Sequence, residues 1–301
     1  MNFFKTGLLL AALTALFGVV GLMLGGTTGM IIALCFAAAT NAFAFWKSDE
    51  LALRAHNAME VTAATAPDLV AMVHELADRA GLPHPRVYVM EEAQPNAFAT
   101  GRNPENGAVA VTTGLIATLT QEELAGVIAH ELAHIKNRDT LTMTVAATIA
   151  GGLSSIINFG LIFGGGRDRP NPIVTILVVI MAPLAAAVIQ MAISRSREYV
   201  ADRHGGEICG DPVWLASALR KIAGGTAHIP NEPAELRPAT APLFIINPLS
   251  GRRMDGLFST HPATENRIQA LMEQASRMGR LPDNRSNNAA RTGNARTGPW
   301  G

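Results

Sequence analysis

Two long uncharged runs at the start of the chain, and a third past its middle, constrain the fold more than any other feature. Residues 7–25 (GLLLAALTALFGVVGLMLG) hold no ionisable side chain, and about 20 such residues suffice for a helix to cross a bilayer. Gly26-Thr27-Thr28-Gly29 breaks the run. Residues 30–46 (MIIALCFAAATNAFAFW) form a second candidate, closed by Trp46-Lys47, an interfacial aromatic followed by a cation. Residues 172–193 (PIVTILVVIMAPLAAAVIQMAI) read as a strong span with a kink at Pro183. Residues 140–163 are apolar but rich in Thr, Ser and Gly, a weaker span. A cleaved signal peptide competes for the first run, but a lone preceding lysine, the run's length and the second run directly after it argue against that.

Composition agrees with lipid contact. Charged residues make up 16% of the chain, against about 25% in soluble domains. Formal net charge is zero with pI near 7.1, so no basic field points to a nucleic-acid partner. Cys35 and Cys209 match no metal or redox spacing, and Cys35 reads as a buried, inert thiol. Lys5, Lys47, Arg54, Lys136, Arg138, Arg195 and Arg197 fall on one side of a four-span topology. Arg167 and Arg169 fall on the other. The positive-inside rule makes the first side cytoplasmic, so residues 48–139 and everything after 193 share it. The lack of ionisable residues within the four spans argues against a transporter.

Between the spans the chain turns mixed in polarity. The pattern predicts a helix over about 67–80 ended by Gly81-Leu82-Pro83. It predicts strands over 86–90 and 108–112, with a turn-rich or edge segment at 95–101 between them. Thr120-Gln121-Glu122-Glu123 is a capping box. After 193 it predicts a helix over 212–223, an irregular stretch over 224–260 and a short helix within 262–278.

The capped helix carries His130-Glu131-Leu132-Ala133-His134. Residues four apart share a helix face, so both imidazoles reach one metal. The carboxylate of Glu131 then lies where it polarises a metal-held water. His74-Glu75-Leu76-Ala77-Asp78 imitates the motif but ends in Asp, and reads as a solvated helix face. A catalytic zinc needs a third protein ligand and an open position. Position 140 is Thr, which removes a third His at that spacing. Glu198 is the strongest candidate, with Glu207 behind it. Glu198-Tyr199-Val200-Ala201-Asp202 sets two carboxylates on one face, one for the metal and Asp202 for an imidazole N–H. The competing role of Glu198 is an ion pair with Arg195 or Arg197. Asn96, Ala97, Phe98 and Ala99 are candidates for an edge strand that pairs with an extended substrate. His56, His84, His204 and His228 match no motif and read as surface or loop residues.

The chain resembles the HtpX-type membrane zinc metallopeptidases, relatives of the CAAX prenyl endopeptidases. The resemblance lies in PNAFATGRNP (95–104), VAVTTGLI (109–116), HELAHIKNRD (130–139), SRSREYVAD (194–202) and STHPATENRI (259–268), in family order. It implies a mainly α membrane protein: helical transmembrane segments with a zincin-like α+β metallopeptidase domain carrying a small sheet. It implies one Zn2+ per chain held by His130, His134 and Glu198, with Glu131 catalytic. The same resemblance implies that His261 faces the zinc and donates to the developing oxyanion, and that Arg267 helps orient the site. The implied function is hydrolysis of misfolded or damaged membrane proteins at the cytoplasmic face of a bacterial inner membrane, linked to stress. The alternatives are a narrow processing peptidase for a lipidated or specific substrate, and a non-catalytic zinc-binding scaffold. The division that follows is 1–47 (two spans), 48–139 (first part of the peptidase domain), 140–193 (two further membrane segments), 194–280 (second part) and 281–301 (a disordered tail).

Overall fold

The computed structural model describes residues 2–149, 195–249 and 263–280. The expected span over 172–193, most of that over 140–163, His261 and the tail from 281 lie outside the described residues.

Helix α1 (Asn2–Ala55) is two limbs joined where Gly25 and Gly26 leave helical geometry. Gly26 has φ 60°, which costs glycine nothing. The limbs fold back on each other. A Cβ on Gly21 would lie 2.5 Å from the Gly29 carbonyl oxygen, so only glycine permits this approach. Asn41 Nδ2 donates to Thr14 Oγ1 at 2.8 Å and to the Leu10 carbonyl at 3.3 Å. Among the described residues, Gly25–Ala55 is long and apolar enough to cross a membrane. Only 11% of its apolar window is buried, unlike the core helix of a soluble protein. Cys35 lies on the exposed face of this helix, not in a core.

The foot of α1 leads into a four-stranded sheet of order β1-β2-β4-β3. The strands are β1 (Met59–Val61), β2 (Arg86–Met90), β3 (Ala97–Thr100) and β4 (Ala108–Thr112). β2 and β4 are parallel, and the outer pairs antiparallel. Side chains alternate across the pleat. Val87, Ala97, Ala99, Val109 and Val111 meet helices α2 (Pro67–Ala80) and α4 (Gln121–Lys136). Tyr88, Met90, Phe98, Ala108 and Ala110 meet Ala52 and Leu53 at the foot of α1. Burial on both faces explains why these strands read as near-continuous apolar runs. A short helix, α3 (Thr113–Thr118), joins β4 to α4.

The predicted capping box is present. Glu123 Oε2 accepts from the Thr120 N–H at 2.9 Å and Thr120 Oγ1 from the Glu123 N–H at 3.3 Å. Glu123 also takes Lys221 Nζ at 2.6 Å and Ser217 Oγ at 2.7 Å. These lie on α6 (Pro212–His228), which runs on past the predicted end at 223. The stretch after it is not wholly irregular: α7 (Glu232–Leu236) and a 3-10 turn over Pro238–Leu243 fill part of it. Helix α8 (Thr264–Arg277) closes the described chain.

Helix α5 (Arg195–Cys209) packs on α4 through Gly205. A Cβ there would sit 3.0 Å from both the His130 N and Cα. Gly205→Ala should therefore push α5 off α4, at a cost of about 1–3 kcal/mol from overpacking, and weaken any metal site shared by the two helices. Metal titration beside thermal unfolding checks this. A variant matching wild type in both would show that the helices give way freely.

His56 is not a surface residue. It is 1% exposed, because α1 ends by turning its last residues into the domain. Its Nε2 lies 3.0 Å from Thr240 Oγ1, its Nδ1 lies 3.4 Å from Glu92 Oε1, and its ring stands edge-on to Phe244 at 4.8 Å.

Candidate metal centre

Helix α4 carries His130 and His134 one turn apart on its buried face, with their rings nearly perpendicular at 4.7 Å. Their Nε2 atoms are 3.2 Å apart. Across the Gly205 contact, α5 brings Glu198 to the same point. Its Oε2 is 3.8 Å from His130 Nε2 and its Oε1 3.6 Å from His134 Nε2. Zinc binds imidazole nitrogen at about 2.0–2.1 Å and carboxylate oxygen at about 2.0–2.2 Å in a tetrahedron, which sets ligand atoms about 3.3–3.5 Å apart. The three measured separations bracket that range, so a zinc-sized cation fits among these side chains. Among the described residues this is the one group of three such ligands.

Each imidazole is held from behind. Asp202 Oδ1 lies 3.0 Å from His130 Nδ1, and Asp139 Oδ2 lies 3.2 Å from His134 Nδ1. A carboxylate on Nδ1 fixes the tautomer that leaves Nε2 for a metal. Asp202 is the partner expected from its spacing to Glu198. Asp139 was not expected. It follows a turn in which Arg138 has φ 58°, and only that reversal returns it to His134. Asp139→Asn should lower metal affinity about 10- to 100-fold, measurable by competition with a chromophoric chelator. Affinity equal to wild type would remove Asp139 from this role.

Arg267 from α8 anchors the acidic side. Its guanidinium grips Asp202 through Nε at 2.8 Å and Nη2 at 2.7 Å. Nη1 donates to the Ile245 carbonyl at 2.8 Å and lies 3.6 Å from Glu198. Arg197, one of the cations that competed for Glu198 in the sequence, has its Nη1 3.8 Å from Asp139, and both carboxylates favour its charge.

The charges follow from this geometry. Burial lifts the Glu131 carboxyl to about 7, against the pull of His134. Burial also lowers His130 to about 4, although Asp202 opposes it. Burial works against a charged His134 too, but hydrogen bonding to Asp139 and the charges of Glu198 and Glu131 outweigh it and raise the ring to about 9. Burial likewise opposes ionisation of Asp202, and Arg267 overcomes it, holding that carboxyl below its usual range. Glu131 is 1% exposed, its Oε1 has no hydrogen-bond partner, and the nearby Ala99 backbone favours its charged form.

Residues 63–275 match the family model described as peptidase family M48. The chain belongs to peptidase family M48. The cluster of His130, His134 and Glu198 is compatible with a zinc ion of the kind this metallopeptidase family uses. The crystal structure of S. mikatae Ste24p resembles it at 18% identity with a TM-score of 0.50. The match covers 87% of this chain and 62% of that one, so the chain spans less than two thirds of Ste24p. At that identity the likeness is one of fold.

Within the M48 domain, the site residues expected from the sequence converge, except His261, which lies outside the described residues. The substrate segment differs from expectation. β3 ends the sheet, but Asn96, Ala97, Phe98 and Ala99 do not form an open edge. All four are buried, and the Ile245 N–H already donates to the Ala97 carbonyl at 3.1 Å. Residues far along the chain return to cover the strand, and local sequence carries no sign of that.

Proposed function

We propose that this protein is a multi-pass membrane zinc endopeptidase that hydrolyses misfolded or damaged membrane proteins. Its site lies on the cytoplasmic side of a bacterial inner membrane. The observation that carries the reading is the convergence of His130, His134 and Glu198 beside a buried Glu131, in a domain rooted on an apolar helical hairpin.

Bound zinc supplies Lewis acidity toward a water and toward the scissile carbonyl. Glu131 takes the proton of the attacking water and passes it to the leaving amine. Its raised pKa suits both steps near neutral pH. Asp202 and Asp139 hold the imidazoles in register. Arg267 offsets the carboxylates gathered around them. His261 is assigned the developing oxyanion on the family pattern alone. Burial of the whole cluster keeps bulk water from competing.

Metal analysis and casein cleavage on detergent-purified protein test the reading. Wild type should hold one zinc and cleave, and Glu198→Ala should lose the metal and activity together. Full zinc in that variant would move the third ligand elsewhere, first to Glu207. Zinc in wild type without casein cleavage would replace broad proteolysis with a narrow processing activity or a non-catalytic scaffold.

A further inference from the structure

The outer edge of β3 is where Glu131 meets the sheet. Alternate residues of a strand turn their backbone groups to the same side. On the outer side Ala97 gives its carbonyl to the Ile245 N–H, and the Ala99 backbone faces the same way, beside Glu131. Phe244 stands opposite Phe98 as an antiparallel partner. The Ile246 carbonyl accepts from Asn96 Nδ2 at 2.9 Å. Leu243 to Ile246 thus lies along the edge like an added strand, next to the candidate base. We propose that this segment is a tethered competitor for the substrate backbone: it holds the edge closed and lifts when an extended substrate pairs with β3.

The chemistry of exchange is balanced. The Ala97 carbonyl that Ile245 engages and the Asn96 side-chain amide that Ile246 engages are both groups that the backbone of an unfolded chain can engage in kind. The strap is also tied at two points that matter to the enzyme. Arg267 donates to the Ile245 carbonyl while it grips Asp202 behind His130. On the other flank, Thr240 bonds His56, Phe244 packs on the His56 ring, and Arg237 Nη1 donates to the Ala55 carbonyl at 2.7 Å. The strap therefore links the metal-site scaffold to the foot of the apolar helix. Its release is set by both.

This inference rests on the reading of the cluster as a peptidase centre, but one of its tests needs no turnover. In zinc-loaded, full-length Glu131→Gln in detergent, hydrogen exchange over 243–246 should accelerate about tenfold when reduced, carboxymethylated casein is added. Unchanged exchange with casein bound would overturn the proposal whatever the enzyme does. The second test locks the strap. Phe98→Cys with Phe244→Cys, in a background with Cys35→Ser and Cys209→Ala, places two thiols on facing strand positions. Oxidation should abolish casein cleavage without loss of zinc, and a reductant should restore it. The comparison is within one variant, so lost aromatic packing cancels. Full cleavage in the oxidised, cross-linked protein would overturn the proposal. If wild type proved inactive on casein, the proposed function would fall while the exchange measurement still judged the strap.

Discussion

Glu131→Gln is expected to lower peptide-bond cleavage about 10²- to 10⁴-fold while the protein keeps its fold and its zinc. The substitution preserves size and removes only basicity. Glu131 is not one of the three side chains whose ligand atoms converge, so metal content should not follow it. Its carboxyl is lifted to about 7 by burial. A bound cation pulls that value down, because positive charge nearby favours the ionised form. The base must be deprotonated to act, so kcat/KM should fall on the acid side, along a limb below about 7, and the Gln variant should lose that limb. Stopped cleavage of a quenched peptide, read beside metal analysis, decides the matter. Residual activity within tenfold of wild type would place the base elsewhere.

Arg267→Met should be the most damaging change for stability. Arg267 is 1% exposed and pairs with Asp202, 2% exposed, in a two-pronged contact beside Glu198. Removing one partner of a buried ion pair costs about 3–5 kcal/mol, because the other charge stays behind unneutralised. For a domain of this size that lowers Tm by about 6–20 °C. The loss should be largest with chelator present, since zinc at Glu198 would replace part of the missing positive charge. Thermal unfolding in detergent, with and without zinc, gives both numbers. A Tm shift under about 2 °C in chelator would show that Arg267 does not balance the acidic cluster. Adding Asp202→Leu should recover part of the loss, because the stranded carboxylate is then gone, but not the orientation of His130.

Much of the domain was readable from local pattern. The helix over 67–80, the strands at 86–90 and 108–112 and the Thr120 capping box are formed by residues adjacent in sequence. Propensity and hydrogen-bonding rules act on those directly. The pair Glu198 and Asp202 was legible for the same reason: one helix turn sets one carboxylate toward a possible metal and the other behind His130.

What the sequence determined by itself was therefore the local geometry: which stretches are helix or strand, which are apolar enough for lipid, and which side chains share a helical face. Tertiary structure decided everything that depends on close approach between distant segments. Asp139 reaches His134 only through the left-handed turn at Arg138. Gly205 matters because α5 comes within one Cβ of His130. His56 is buried because the foot of α1 meets Thr240 and Phe244, more than 180 residues later in the chain. The edge of β3 is closed by Ile245 for the same reason. These contacts form between segments whose meeting is fixed by how whole helices and sheets pack, and no short-range periodicity encodes that.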